Sequence, residues 1–567
     1  MENDYTDSRT AKSMVSSWKE KKKEFRYINR HVLTHRDFPL KIDVSIVKQT
    51  SKPGRHIERT YSFEDANISS IPEKYELEIE VLNDRVGPTT EYYGASQLAI
   101  PVRKAIMMVL SGLQGTNYPI SYTEQSEILQ EYMGIMMATK DIPRRILPKH
   151  FVGPSSIALQ INNISKANEN SNIPSIRNGY TVTEKADGDR KLLMISNTGK
   201  MYLIDTNMLV QFTGAKTSSD ELFSTIIDGE HITHNSKGAF INLYAAFDIY
   251  YLNGKDIRAL DFAAMIGEKQ EKTRLGLVNS VYSLLRPFGV ASRDSPPPIR
   301  FEVKTFYLSV VNEESIFNAC ASIMEKVNMT DRGFEYKTDG LIFTPMFVGV
   351  GGTKSGETSK PASKMSWGLS FKWKPPEHNT IDFMVTIQKG SDGSDDIKSV
   401  FQSGTDVASA LQLTQYKTAA LRVGFDESRH GYINPCMNVI DDNLPESGSN
   451  DNEDAYKPMR FYPTSPSDDD AGLCNLLLET ANGGTTELFT ENREVIEDNM
   501  IVEFRYNMSK SGSWRWEPLR VRYDKTTELR NGGKNYGNAY HVANSNWHSI
   551  HKPITPYMIT TGKDIPI

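Results

Sequence analysis

The 567-residue chain is poor in cysteine, in long apolar runs and in net positive charge, and each shortage removes a class of protein. Its three cysteines, Cys320, Cys436 and Cys474, are far apart and odd in number. They form neither a metal-ligand spacing nor a disulfide framework, which favours a reducing compartment. The most apolar stretch, Ala105 to Leu113, is far too short to span a bilayer and follows Arg103 and Lys104, so no membrane partner is expected. The polar start, Met1-Glu2-Asn3-Asp4-Tyr5, does not read as a signal peptide. A formal net charge of -6 excludes a uniformly basic nucleic-acid binder. Any such contact needs local patches, of which Lys19, Lys21, Lys22, Lys23, Arg26 and Arg30 form one. The plainer reading of that patch is a solvated helix end. No internal repeat is visible, and the length points to three or four domains.

What is present divides into three regions. The first, to about residue 145, is strand-rich and then helical. Lys41 to Lys48 and Tyr75 to Val81 alternate polar and apolar residues as half-buried strands do, and a helix is expected from about Tyr92 to Leu113. The second, 146–378, mixes short strands with an amphipathic helix near 269–285, whose stripe Leu277, Val278, Val281, Leu284 and Leu285 reads as core. The third, 379–567, is strand-rich, with an acidic interruption at 440–471 that reads as a disordered surface loop.

The second region carries the run Glu184-Lys185-Ala186-Asp187-Gly188-Asp189-Arg190. Only a neutral lysine can attack phosphorus, so such a lysine needs neighbours that lower its pKa and hold a nucleotide in line with it. Asp187 and Arg190 offer opposite charges for a ribose or polyphosphate, and Gly188 would let the backbone approach a ligand. The plain alternative is an Asp-Gly hairpin. Further on, Ile226-Ile227-Asp228-Gly229-Glu230 presents Glu230 at a strand end. Ala246-Phe247-Asp248 sets an aromatic beside an acid, suited to stacking on a base or to core packing. Lys337-Thr338-Asp339-Gly340 offers Asp339, whose carboxylate suits magnesium held together with phosphates. Phe371-Lys372-Trp373-Lys374-Pro375 places two lysines on one strand face, where they repel unless an anion lies between them and depress a nearby amine. Asp382 follows, and Arg520-Val521-Arg522-Tyr523-Asp524-Lys525 comes far along the chain.

In this order the motifs resemble the six-motif set of covalent nucleotidyltransferases. Within it they are similar to the mRNA capping enzymes of large cytoplasmic DNA viruses, over about residues 146–530. The resemblance implies an α+β protein in three parts. These are a partial tunnel-type RNA triphosphatase β domain at 1–145, a nucleotidyltransferase (guanylyltransferase) domain of antiparallel sheets with helices at 146–378, and an OB-fold β barrel with a C-terminal extension at 379–567. It implies that Lys185 takes GMP from GTP as a lysyl-GMP adduct and passes it to diphosphate-ended RNA. Asp187, Gly188, Arg190, Glu230, Phe247, Lys372, Lys374, Asp382, Arg522, Asp524 and Lys525 would bind nucleotide, with Asp339 holding Mg2+ or Mn2+. A second metal site is implied at Glu76, Glu78 and Glu80 for triphosphatase chemistry, beside Lys41 and Asp43. The opposing Glu-x-Glu strand is not found before Glu76, so either the chain has lost N-terminal strands or that activity is absent. Asn535 to Asn538 and Trp547 to Ile550 resemble the lead into a methyltransferase, expected to be separate or missing. The implied setting is the cytoplasm, in a virus factory or virion. The alternatives are an ATP-dependent polynucleotide ligase and a non-catalytic RNA-binding capping subunit. The glycine-rich run Val348 to Gly356 lacks a phosphate-loop ending and reads as a mobile surface loop.

Overall fold

In a computed structural model of the chain, the alternating run expected at Lys41 to Lys48 forms the strand Leu40–Gln49. It is the middle of a three-stranded antiparallel sheet, flanked by Arg26–Thr34 and Lys74–Val81. The structure describes residues 8–565 except 51–58, 69–70, 72, 138–142, 144, 167–171, 266, 291–296, 309–314, 330–332, 360–365, 402–412, 427–455, 481–485 and 531. The helix expected from Tyr92 runs over Ala95–Gln114 and ends at Gly115, whose φ of 61° is the left-handed turn that closes many helices.

The chain divides into two compact units, Met1–Pro119 and Ile120–Ile567, not at residue 145. The reason lies in the helix Tyr122–Met137. Its Glu124 accepts from Lys200 Nζ at 2.7 Å and from the Tyr202 hydroxyl at 2.8 Å. Its buried Tyr132 donates to the His150 carbonyl at 2.9 Å and accepts from the Val152 amide at 2.8 Å. Sequence periodicity does not reveal such bonds, because their partners lie far along the chain.

Among the described residues, the larger unit contains three sheets. The strands Ser155–Ala158, Tyr180–Ala186, Tyr307–Leu308, Thr338–Pro345 and Ser366–Trp373 form a five-stranded sheet. An eight-stranded sheet is built mainly from Asp189–Ile195, Lys200–Asp205, Val210–Lys216, Thr225–His234 and Phe240–Leu252. A second eight-stranded sheet begins at Thr380–Ile387 and ends with Trp516–Val521. Its core gathers Phe383, Phe461, Phe504, Trp516 and Trp547. Trp547 comes from the helix Tyr540–His551, so the segment read as a lead into another module is built into this core.

Three expectations change. The helix near 269–285 is Arg274–Leu284, preceded by a short 3-10 turn. Val278, Val281 and Leu285 are buried, whereas Leu284 is exposed. The acidic interruption lies outside the described residues up to 455, but the part beyond it forms the strand Tyr456–Arg460 and buries Phe461. The glycine-rich run is held by the Val350 amide on the Arg258 carbonyl and the Ser359 amide on the Val350 carbonyl. A Cβ at Gly349 would meet the Glu357 carbonyl oxygen at 2.1 Å, so those glycines serve close backbone packing.

Arg274 is fully buried and donates to both oxygens of Asp248, at 2.8 and 3.2 Å. Removing one partner of a buried pair leaves the other charge uncompensated. Arg274→Ala is expected to lower unfolding stability by about 3–5 kcal/mol, read from the denaturant midpoint.

Candidate active site

The lysine run crosses from one sheet to another. Tyr180–Ala186 belongs to the five-stranded sheet and Asp189–Ile195 to the first eight-stranded sheet, so the strands flanking Asp187 and Gly188 do not pair with each other. That topology removes the plain hairpin reading and sets Lys185 where the two sheets meet.

Asp339 reaches Lys185 through a bulge. Thr338 pairs with Ala186 and Leu341 with Glu184, which leaves one extra residue on the Asp339 strand. Gly340 sits at φ 145°, where a Cβ would lie 1.9 Å from the Trp373 carbonyl oxygen. Bulges of this kind re-aim a side chain. Asp339 Oδ1 lies 2.7 Å from Lys185 Nζ, and its Oδ2 lies 2.9 Å from Lys374 Nζ. Burial alone would raise the Asp339 carboxyl, but the two ammonium groups outweigh it and hold it below its ordinary value.

Beside Lys185 lies a cavity of about 280 Å³, lined among others by Arg190, Glu230, Phe247, Lys304 and Lys372. Each is placed by its backbone. Phe247 is the extra residue of a second bulge, between the pairs Ala246–Gly229 and Asp248–Asp228. Arg190 is fixed by Asp228, donating to its two oxygens at 3.1 and 2.5 Å, and also donates to the Pro154 carbonyl at 3.0 Å. Tyr250 closes the group by donating to the same carboxylate. Glu230 is lifted to about 7 by burial, which outweighs the pull of Lys304, Lys185 and Arg190. Lys372 is pushed down to about 8, first by burial and then by Lys374, Lys185 and Lys525. The depression expected from paired lysines therefore falls on a member of the pair itself.

Other expected residues lie elsewhere. Gly188 accommodates its own protein: a Cβ there would meet Glu230 Cγ and the His231 carbonyl oxygen at 2.9 Å each. Asp187 is exposed and lines, with Arg522 and Asp524, a separate and more open depression that shares Arg190 with the lysine cavity. Arg522 and Lys525 both donate to Asp382 Oδ2, at 2.7 and 2.6 Å, and Arg522 also pairs with Asp524 at 3.2 Å. Asp382 is buried, with Asn538 bonded to its backbone on both sides, at 2.8 Å in each case.

The metal expectations need correction. Both oxygens of Asp339 are engaged by ammonium groups. Glu76 meets Arg26, Glu78 meets Arg30 at 3.4 Å and Glu80 meets Lys41 at 2.8 Å, because the neighbouring strands supply cations on that face. Among the described residues, no group of three or more His, Cys, Asp or Glu is arranged to hold a metal ion. Neither set of carboxylates fits a resident metal.

Sequence reading passed over Lys304. It is buried, 3.2 Å from Glu184 Oε1, and Glu184 also accepts from the Tyr336 hydroxyl at 2.8 Å and the Thr183 hydroxyl at 2.9 Å. This group braces the residue preceding Lys185. The only signal was a lysine between Val303 and the aromatic pair Phe306 and Tyr307. Asp228 was visible only as an acid inside an apolar strand.

Residues 119–355 match the sequence model of the family described as mRNA capping enzyme, catalytic domain. A probable mRNA-capping enzyme of Acanthamoeba polyphaga mimivirus is 24% identical over 536 residues, covering 88% of this chain and 38% of that protein. An mRNA-capping enzyme of African swine fever virus is 22% identical over 399 residues, covering 70% of this chain and 36% of that protein. One from Danio rerio is 26% identical over 232 residues, covering 38% of this chain and 33% of that protein. The chain thus spans well under half the length of each of these relatives. Lys185 and most of the residues lining its pocket fall within the matched segment 119–355.

Proposed function

We propose that this chain is an mRNA guanylyltransferase that carries GMP on Lys185. The observation that carries the reading is one cavity in which Lys185 meets an aromatic face, a carboxylate and several cations, within a segment of capping-enzyme family. Phe247 supplies the face for guanine, and Arg190 and Glu230 the polar contacts for ribose. Lys372 and Lys304 meet phosphate charge, with Lys374 close by on Asp339.

In the first step the Lys185 amine attacks the α-phosphorus of GTP. A nitrogen–phosphorus bond forms, the amine gives up a proton to solvent, the bond from that phosphorus to the bridging oxygen breaks, and pyrophosphate leaves. In the second, a terminal oxygen of diphosphate-ended RNA attacks the same phosphorus, and the amine leaves and regains a proton. Little covalent work falls to the protein beyond the lysine itself, so positioning and charge neutralisation supply most of the rate. In the resting arrangement Lys185 donates to Asp339. That contact must open before attack, with Lys374 holding Asp339 in place.

The three-part domain reading is carried forward with it. The C-terminal sheet is assigned as an OB-type domain whose Arg522, Asp524 and Lys525 approach the leaving pyrophosphate on closure, releasing Asp382. A divalent cation would enter with the nucleotide, in the cytoplasmic setting of the viral relatives. The triphosphatase expectation for the N-terminal sheet rests on resemblance alone.

Incubation with labelled GTP or ATP followed by denaturing electrophoresis is the direct test. Label is expected on the protein from GTP only, and Lys185→Ala is expected to remove it. Transfer from ATP alone would make the chain a ligase, and a folded chain labelled by neither would make it a binding subunit. Glu230→Gln is expected to slow adduct formation roughly 100-fold with the chain still folded.

The Lys372 ammonium is lost as pH rises through about 8 in the free protein. GTP affinity is therefore expected to fall above that pH, by the ~10-fold or more that one charge-assisted bond is worth. A fluorescence titration checks this, and Lys372→Arg is expected to flatten the fall.

A further inference from the structure

The basic run near the start of the chain is built into a surface of its own. Lys19, Lys21, Lys22 and Lys23 are interrupted only by Glu20, in a protein whose net charge is -6. The Lys23 amide donates to the Thr60 carbonyl at 2.7 Å, and the Thr60 amide donates back to the Lys23 carbonyl at 3.0 Å. This bridge pins the lysines against the segment that carries Tyr61 and Phe63. Lys22 Nζ lies 5.5 Å from the centre of the Tyr61 ring, and Lys23 Nζ lies 4.9 Å from that of Trp18. Lys23 is tied down further by the Trp18 and Lys21 carbonyls.

The aromatics are not core. Trp18 is 59% exposed, Tyr61 52% and Phe63 45%. Lys19, Lys21 and Lys22 have no ion pair among the described residues, whereas Arg26 and Arg30 are taken by Glu76, Asp43 and Glu78. The patch therefore pairs uncommitted ammonium groups with ring faces held open to solvent. Single-stranded nucleic acid asks for that combination, since phosphates take the cations and unpaired bases stack on the rings.

We propose that this surface of the N-terminal unit binds the single-stranded body of an RNA whose 5′ end is the acceptor. The choice of RNA rests on the guanylyltransferase reading. An anionic membrane is the rival occupant, because Met14 and Val15 are also exposed. It is less favoured because the helix there, Arg9–Ser16, is only two turns long, and the lysines sit over the rings instead of flanking an apolar stripe.

The test uses the full chain and an unstructured, fluorescently labelled, 5′-diphosphate RNA of about 20 nucleotides, with anisotropy measured at several salt concentrations. The combined variant Lys19→Ala, Lys21→Ala, Lys22→Ala is expected to weaken binding about tenfold. It should also flatten the slope of log affinity against log salt by about 2, at ~0.7 per single-strand phosphate contact. Trp18→Ala is expected to weaken binding at every salt concentration without changing that slope. Both variants should keep the wild-type circular dichroism and form the lysyl-GMP adduct at the wild-type rate. RNA affinity and slope unchanged in the triple variant would overturn the proposal. So would loss of binding to phosphatidylcholine–phosphatidylserine vesicles with RNA binding intact. If the wild type forms no adduct but binds RNA through this patch, the surface assignment stands and the nucleotide reading falls.

Discussion

One carboxylate between two ammonium groups organises the centre of this protein. Asp339 holds Lys185 on one oxygen and Lys374 on the other. Without it, Lys185, Lys372 and Lys374 would crowd like charges into a half-buried space with no anion among them. The bulge at Gly340 brings that carboxylate to the lysines. Lys372, which lacks a place on Asp339, is driven toward neutrality first by its burial and then by the repulsion of its neighbours.

A second tier of buried pairs supports the first. Asp228 holds Arg190, and Arg274 holds Asp248, the residue after Phe247. Glu184 gathers Lys304, Tyr336 and Thr183 directly behind the nucleophile. These pairs contribute little net stability, since desolvation offsets their attraction. Their use is geometric, fixing side chains on rigid strands, which under the proposed function means that a nucleotide meets them already oriented.

Much of this was legible in the chain, for definite reasons. The strands at Leu40–Gln49 and Lys74–Val81 alternate with period two, and Lys185, Glu230, Phe247 and Lys372 sit in short runs whose order is distinctive. What could not be read was pairing across distance. Glu124 with Lys200 moves a helix from one unit to the other, and Glu76, Glu78 and Glu80 look like metal ligands until Arg26, Arg30 and Lys41 are seen opposite them. Lys304 gains meaning only when the segment following the strand Arg300–Val303 is set beside Glu184. Gly188 looks like a ligand-facing glycine in the sequence and Gly349 like part of a mobile loop, but the space beside each is filled by the protein's own backbone and side chains.

The arrangement around Asp382 has a consequence for occupancy. Its carboxylate already takes Arg522 and Lys525, so under the proposed function it acts as a tethered surrogate for an incoming polyanion. A tethered group competes at a local concentration set by its backbone, not by supply. Nucleotide in solution must therefore outbid an internal rival that never diffuses away. Anything that displaces Asn538 from the backbone of Asp382 would shift that contest from a distance.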